Sequence, residues 1–116
     1  TWSDGSPITA NDWEFTFDTV KNLSLGGNFL SSYPYSCEDE EGTAKNCVVS
    51  VVASDDYTVS ITFNYDPGLS TWQYGTAQGI AFSKAYWEQY ATDKETLYAH
   101  DATNAPVASA FVYDKL

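Results

Sequence analysis

Apolar positions first recur at helical spacing. Trp13, Phe17 and Val20 stand at i, i+4 and i+7, one face of an α-helix. Phe15 lies off that face, so the helix is expected to be covered on two sides. Its start is well specified. Ser3, Asp4, Gly5 and Pro7 are turn formers, and Thr9 is a strong N-cap. Asp12, three residues on, is the shorter version of a capping-box acid and suits the positive end of the helix dipole. Ile8 and Trp13 are spaced as a hydrophobic staple across the cap. The helix should stop near Leu23 to Gly26, with Gly26 and Gly27 supplying the positive φ that helix ends often need.

The period then changes to two. Val48, Val49, Val51 and Val52 make a strand apolar on both faces, which suits a central position. Ser54, Asp55 and Asp56 form a turn. Tyr57, Val59, Ile61, Phe63 and Tyr65 then alternate with Thr58, Ser60, Thr62 and Asn64, a half-buried strand. Tyr57 and Tyr65, like Trp2 and Trp13, are expected to be buried. Between helix and strands, Pro34 opposes helix through its predecessor, so Tyr33 and Tyr35 fall on opposite sides of an extended segment. Gly68 to Gly79 reads as irregular. Gly79 to Phe82 reads as a short strand leading to a helix capped by Ser83, with Tyr86 and Tyr90 at i, i+4 and Trp87 beside them. Thr92 and Glu95 form a second capping box, placing a short helix over Asp93 to Ala99. The pattern predicts an α+β fold, a small antiparallel-rich sheet with two or three packed helices, as one unit over residues 1–116.

Composition narrows the function. The chain has 116 residues, enough for one core, and 43% hydrophobic content argues against disorder. A net charge of −11 repels nucleic acid and anionic lipid alike. No apolar run approaches the ~20 residues that span a bilayer, so membrane insertion is not expected. Methionine is absent, which reads as a processed or excised piece of a longer protein.

Cys37 and Cys47 enclose nine residues. A metal pair would normally be closer and would need two more ligands, so a disulfide is the better reading and suits an exported protein. Glu38 to Glu41 lie inside that loop as consecutive carboxylates. They lack the ligand spacing of a calcium loop and read as a solvated charge run. His100 is the only imidazole, and its neighbour Asp101 would diverge from it. It reads as a surface or loop residue. No serine stands in a nucleophile elbow, no carboxylate pair is marked, and no phosphate-cradling glycine loop is present. The reading is non-catalytic, with no metal and no cofactor. Binding is better supplied: four tryptophans and nine tyrosines offer stiff amphipathic area. Tyr33, Tyr35, Trp72 and Tyr74, in irregular segments, are the candidates for ligand contact.

The run Trp2, Ser3, Asp4, Gly5, Pro7, Thr9, Ala10 and Asp12 resembles the signature of the large extracellular solute-binding proteins that feed peptide and nickel ABC importers. The resemblance continues at Asp55 to Val59, at Asp66–Pro67, and at Ser83, Lys84 and Tyr86. It is looser over Asn104 to Phe111, where Ala108, Ala110 and Phe111 replace the usual glycines and proline. The resemblance implies one subdomain of a two-lobed receptor, similar to the smaller subdomain of lobe I of oligopeptide-binding proteins. It implies a monomer outside the cytoplasm, extracellular or periplasmic, with lipoprotein and free forms both open. The partners implied are a peptide or other small solute and an ABC permease, and most of the ligand grip would come from other parts of the receptor. A secreted carbohydrate-binding module is the alternative. The two readings part on secondary structure, since the module would be nearly all β.

Overall fold

A computed structural model describes residues 1–27, 29, 33–74, 81–100 and 105–106. In chain order, α1 spans Ala10–Asn22, β1 Val48–Asp55, β2 Thr58–Phe63, α2 Gly68–Tyr74, α3 Lys84–Trp87 and α4 Lys94–Ala99. The α+β class read from the pattern is the class observed. Among the described residues β1 and β2 form a two-stranded antiparallel sheet, with α1 packed against it.

The chain opens with a turn that its own side chains close. Asp4 Oδ1 accepts from the Ser6 N–H and hydroxyl, and Gly5 sits at φ 87°, a region open to glycine at no steric cost. Those bonds from Ser6 hold the Asp4 carboxyl below the usual range. This turn delivers Trp2 to α1, where its indole Nε1 donates to Asp12 Oδ2 at 3.0 Å. The same oxygen accepts from Thr9 N at 3.0 Å, the half of the capping box that Asp12 supplies. The other oxygen, Oδ1, accepts from Lys84 N at 2.8 Å. Asp12 is only 5% exposed, so a buried carboxylate joins three segments.

One turn on, the Thr16 hydroxyl donates to Asp12 O and accepts from Phe82 N at 2.7 Å. Phe82 and Lys84 thus spend alternate N–H groups on side chains at i and i+4 of a helix. This is why Ala81 and Phe82 form no strand, contrary to the sequence expectation. Residues 79 and 80 of that segment lie outside the described residues.

The end of α1 is a Schellman motif. Leu25 N bonds to Val20 O at 3.0 Å and Ser24 N to Lys21 O at 3.3 Å, with Leu25 and Val20 packed together. The left-handed residue is Ser24, at φ 52°, not Gly26 as expected; Gly27, at φ 65°, lies beyond the helix end.

Phe17, Tyr33, Val48 and Val51 form the main core, with Trp13, Tyr35, Val59, Ile61 and Phe63 against it. A bulge explains how Val48 and Val51 both reach it. Val48 pairs with Phe63 and Ser50 with Thr62, so Val49 is an extra residue that resets the alternation. Val49 and Val52 are accordingly exposed, at 42% and 47%. The expectation of a strand buried on both faces fails here because the bulge was not visible in the pattern. Tyr57, expected inside, is 91% exposed: it sits in the two-residue turn, before the alternation begins at Val59. A second core gathers Val20, Leu25 and Leu97, with Trp87 and Tyr35 beside it, and so seats α3 and α4 on the end of α1.

The Cys37–Cys47 disulfide is present, with Cα atoms 5.1 Å apart. Asp39 organises the loop it closes, accepting from Glu41 N and Thr43 N. For a loop this short, loss of the bridge costs roughly 2–3 kcal/mol.

Two substitutions test these links by urea denaturation. Asp12→Ala leaves three N–H donors without their acceptor and is expected to lower stability by about 2–4 kcal/mol. Ser24→Gly removes the side-chain cost of a left-handed residue and is expected to raise stability by about 0.5–1 kcal/mol.

Candidate functional site

Of the four aromatic residues singled out by sequence, the three whose side chains are described divide between core and surface. Tyr33 is 1% exposed and meets Phe17 edge-on, with ring centroids 6.1 Å apart. Burial pushes its phenol up from the ordinary tyrosine value, and its Oη has no hydrogen-bond partner among the described residues. Tyr35 is half-buried between the two cores, and its hydroxyl donates to Leu25 O at 2.9 Å. Both tyrosines therefore turn inward rather than to opposite sides. The reason is that Pro34 and Val48 hold the segment beside β1, Val48 N donating to Pro34 O at 2.7 Å.

Trp72 is 41% exposed and lies edge-on to Phe63 at 6.5 Å. It stands on α2, a seven-residue helix in a stretch that reads as irregular. Asp66 Oδ1 accepts from Gly68 N at 3.0 Å, and Gly68 takes φ 69°, so the turn before the helix is made locally. The side chain of Tyr74 lies outside the described residues. Phe63 also meets Tyr65 edge-on, so Trp72, Phe63 and Tyr65 form one aromatic run from the core edge to the surface. The structure thus connects Trp72 to the core that holds Tyr33 and Tyr35, through Phe63.

A second aromatic group surrounds His100. Its ring stacks on Tyr90 at 3.6 Å with an interplanar angle of 17°, and meets Trp87 edge-on at 5.3 Å. Its Nε2 and the Tyr86 hydroxyl are 2.8 Å apart. Tyr86 and Tyr90 face each other at 5.6 Å, as their spacing predicts, although α3 itself ends at Trp87 and a turn carries Tyr90. His100 is half-buried in the bend that ends α4, a loop position as read from sequence, but with its ring engaged. It follows α4, whose N-cap is Asp93, one residue later than the box read from Thr92 and Glu95. Asp93 accepts from the N–H and hydroxyl of Thr96, and these bonds hold its carboxyl below the usual range. The i, i+4 pattern identified the Tyr86–Tyr90 pair. It could not have found His100, which arrives from another helix.

A cavity of about 320 Å³ lies between the first turn, the start of α1 and the start of α3. Asn11, Asp12, Ser83, Lys84 and Glu88 line it, and the buried Ser83 Oγ has no hydrogen-bond partner among the described residues. Among the described residues no group of three or more histidine, cysteine or carboxylate side chains could hold a metal, and no helix is long and apolar enough to cross a membrane. What the arrangement offers chemically is contact area. Stacked rings, an exposed indole and committed carboxylates suit apolar and hydrogen-bonding contact, not proton transfer.

Comparison with known proteins gives one family. The model for bacterial extracellular solute-binding proteins, family 5 middle, matches residues 1–114. No curated protein and no solved structure matches the chain.

A buried and an exposed member of the set separate by substitution. Tyr33→Phe removes a buried hydroxyl that has no partner and is expected to raise stability by about 1 kcal/mol in urea denaturation. Trp72→Ala, at an exposed site, is expected to cost less than about 1 kcal/mol in the same measurement.

Proposed function

The chain belongs to the bacterial extracellular solute-binding proteins of family 5, and from that membership we propose that it is one subdomain of a two-lobed receptor delivering peptides to an ABC permease. The receptor works outside the cytoplasm and as a monomer. Its task is non-catalytic: the lobes close on the solute, and the closed form is presented to the permease. This subdomain stiffens one lobe. The observation that carries the reading is the family match across 1–114, over a chain whose buried Asp12 carboxylate is spent on joining its own segments.

Rigidity is useful to such a receptor. A lobe that must order itself on closure loses affinity to the entropy of ordering. Asp12, the Schellman end of α1 and the disulfide each remove that freedom before ligand arrives. Among the described candidates Trp72 is the one best suited to solute contact, because its ring is partly open and its backing through Phe63 is fixed. Tyr33 and Tyr35 act behind it, as packing.

Calorimetric titration with di- to pentapeptides tests the assignment. The 116-residue chain alone is expected to give no saturable heat at micromolar peptide, whereas a full-length receptor containing it binds in that range and loses affinity with Trp72→Ala. Micromolar binding by the chain alone would overturn the subdomain role. A full-length receptor that ignores peptides would overturn the choice of solute.

A further inference from the structure

A groove of about 390 Å³ runs between the start of α1 and the tip of the hairpin. Its lining includes Ile8, Ala10, Trp13, Asp56, Tyr57 and Val59. Trp13 and Val59 are half-buried and pack against the main core, so their positions are fixed. Tyr57 is different. It is 91% exposed, an aromatic side chain on the rim that the core does not use.

The groove is held open by backbone bonds. Ala10 N donates to Asp56 O at 2.8 Å, tying the first residue of α1 to the hairpin turn. Tyr57 N donates to Asp55 Oδ1 at 2.8 Å, which fixes the turn itself. On the far side, Glu14 Oε2 accepts from Ala53 N at 2.7 Å, so that carboxylate is committed to the strand. The two sides of the groove cannot shift without breaking these bonds.

Its electrostatics have one sign. Asp55 and Asp56 stand exposed at the tip, and no basic residue is among those described as lining the groove. Bonds from Tyr57 N and the Thr58 hydroxyl hold the Asp55 carboxyl below its usual range, so it stays ionised. The whole chain carries −11, which adds to the attraction for a cation. Two aromatic rings add negative π faces. Ile8, Ala10 and Val59 add apolar surface for a hydrocarbon body.

We propose that this groove is a binding site for a small organic cation with an apolar body, of the alkylammonium class. The cationic head meets the Trp13 and Tyr57 rings and the Asp56 carboxylate, and the body covers Ile8, Ala10 and Val59. A neutral molecule of the same shape gains only the apolar contact. The site is separate from the solute-binding role and stands whether or not the receptor carries peptides.

Choline and its neutral isostere 3,3-dimethylbutanol are the probes, read by heteronuclear NMR on the 116-residue chain. Choline is expected to give saturable shifts at the Trp13 indole N–H and at the Ile8 and Val59 methyls, and dimethylbutanol far weaker ones. Tyr57→Ala, at a residue the core does not use, is expected to weaken choline binding about two- to fivefold with the other resonances in place. Asp56→Asn is expected to weaken it in the same direction and to reduce its salt dependence. Equal response to the two probes, no saturation by choline, or an unchanged titration in Tyr57→Ala would overturn the proposal. So would shifts that follow protein concentration without any probe, which would place a second copy of the chain on the groove.

Discussion

The fold depends on one buried carboxylate. Asp12 accepts from the Trp2 indole, from Thr9 N and from Lys84 N, three donors from three separated parts of the chain. A buried anion is costly to desolvate unless its lone pairs are met. Here three N–H donors meet its oxygens, and it sits in the first turn of α1, where the helix dipole favours negative charge. The cost of burial is thereby offset, and the geometry becomes demanding. The first turn, the start of α1 and the start of α3 reach their donors to Asp12 only in one mutual arrangement. Thr16 extends the same logic one turn along by holding Phe82 N.

The hairpin is fixed by different means. Its inner face carries Val48, Val51, Val59, Ile61 and Phe63 onto α1, and a slip of one residue would turn that face to water. The bulge at Val49 allows the chain to leave the disulfide loop at Cys47, fully buried, and still present Val51 inward. The edge of β1 away from β2 is not left open as a template. Pro34 O accepts from Val48 N, and the Glu14 carboxylate accepts from Ala53 N. Helix and hairpin therefore share hydrogen bonds as well as apolar contact, and Ala10 N to Asp56 O closes the third side.

Sequence carried the local features and missed those made at a distance. The start of α1, its apolar stripe, the alternating strand and the Cys37–Cys47 pair each depend on spacing within about ten residues, and each is where the pattern put it. Asp12 was legible as a capping acid, but its bonds to Trp2 and Lys84 were not, since the latter spans 72 positions. Ser24 took the left-handed place that two glycines downstream seemed to claim, because the Leu25–Val20 contact fixes where the helix must end. Tyr57 was assigned to the core by continuing an alternation two residues too far into a turn. The aromatic candidates were legible as a type and not as positions. Tyr33 and Trp72 have similar chemistry, and only tertiary packing decides that one is inside and the other partly open.

Commitment of polar groups separates what this chain does for itself from what it offers to others. The Asp12 carboxylate and the Thr16 hydroxyl are fully engaged inside, Asp4, Asp39, Asp55 and Asp93 close local turns or caps, and Glu14 holds a strand edge. Such groups resist being recruited to a ligand, because each new bond would break an existing one. His100 is likewise engaged, between a stacked tyrosine and a phenol. Among the described residues, the side chains that secondary structure pushes outward include Tyr57 at the hairpin tip, Leu69 and Trp72 on α2, Tyr98 on α4, and Val49 and Val52 of the bulged strand. These are aromatic and apolar, on a chain of strongly negative charge. A surface of that kind favours partners with apolar bodies and positive or neutral heads. The surface open to a partner is therefore what the bulge, the turn and the short helix leave uncovered, while a set of acids led by Asp12 holds the frame.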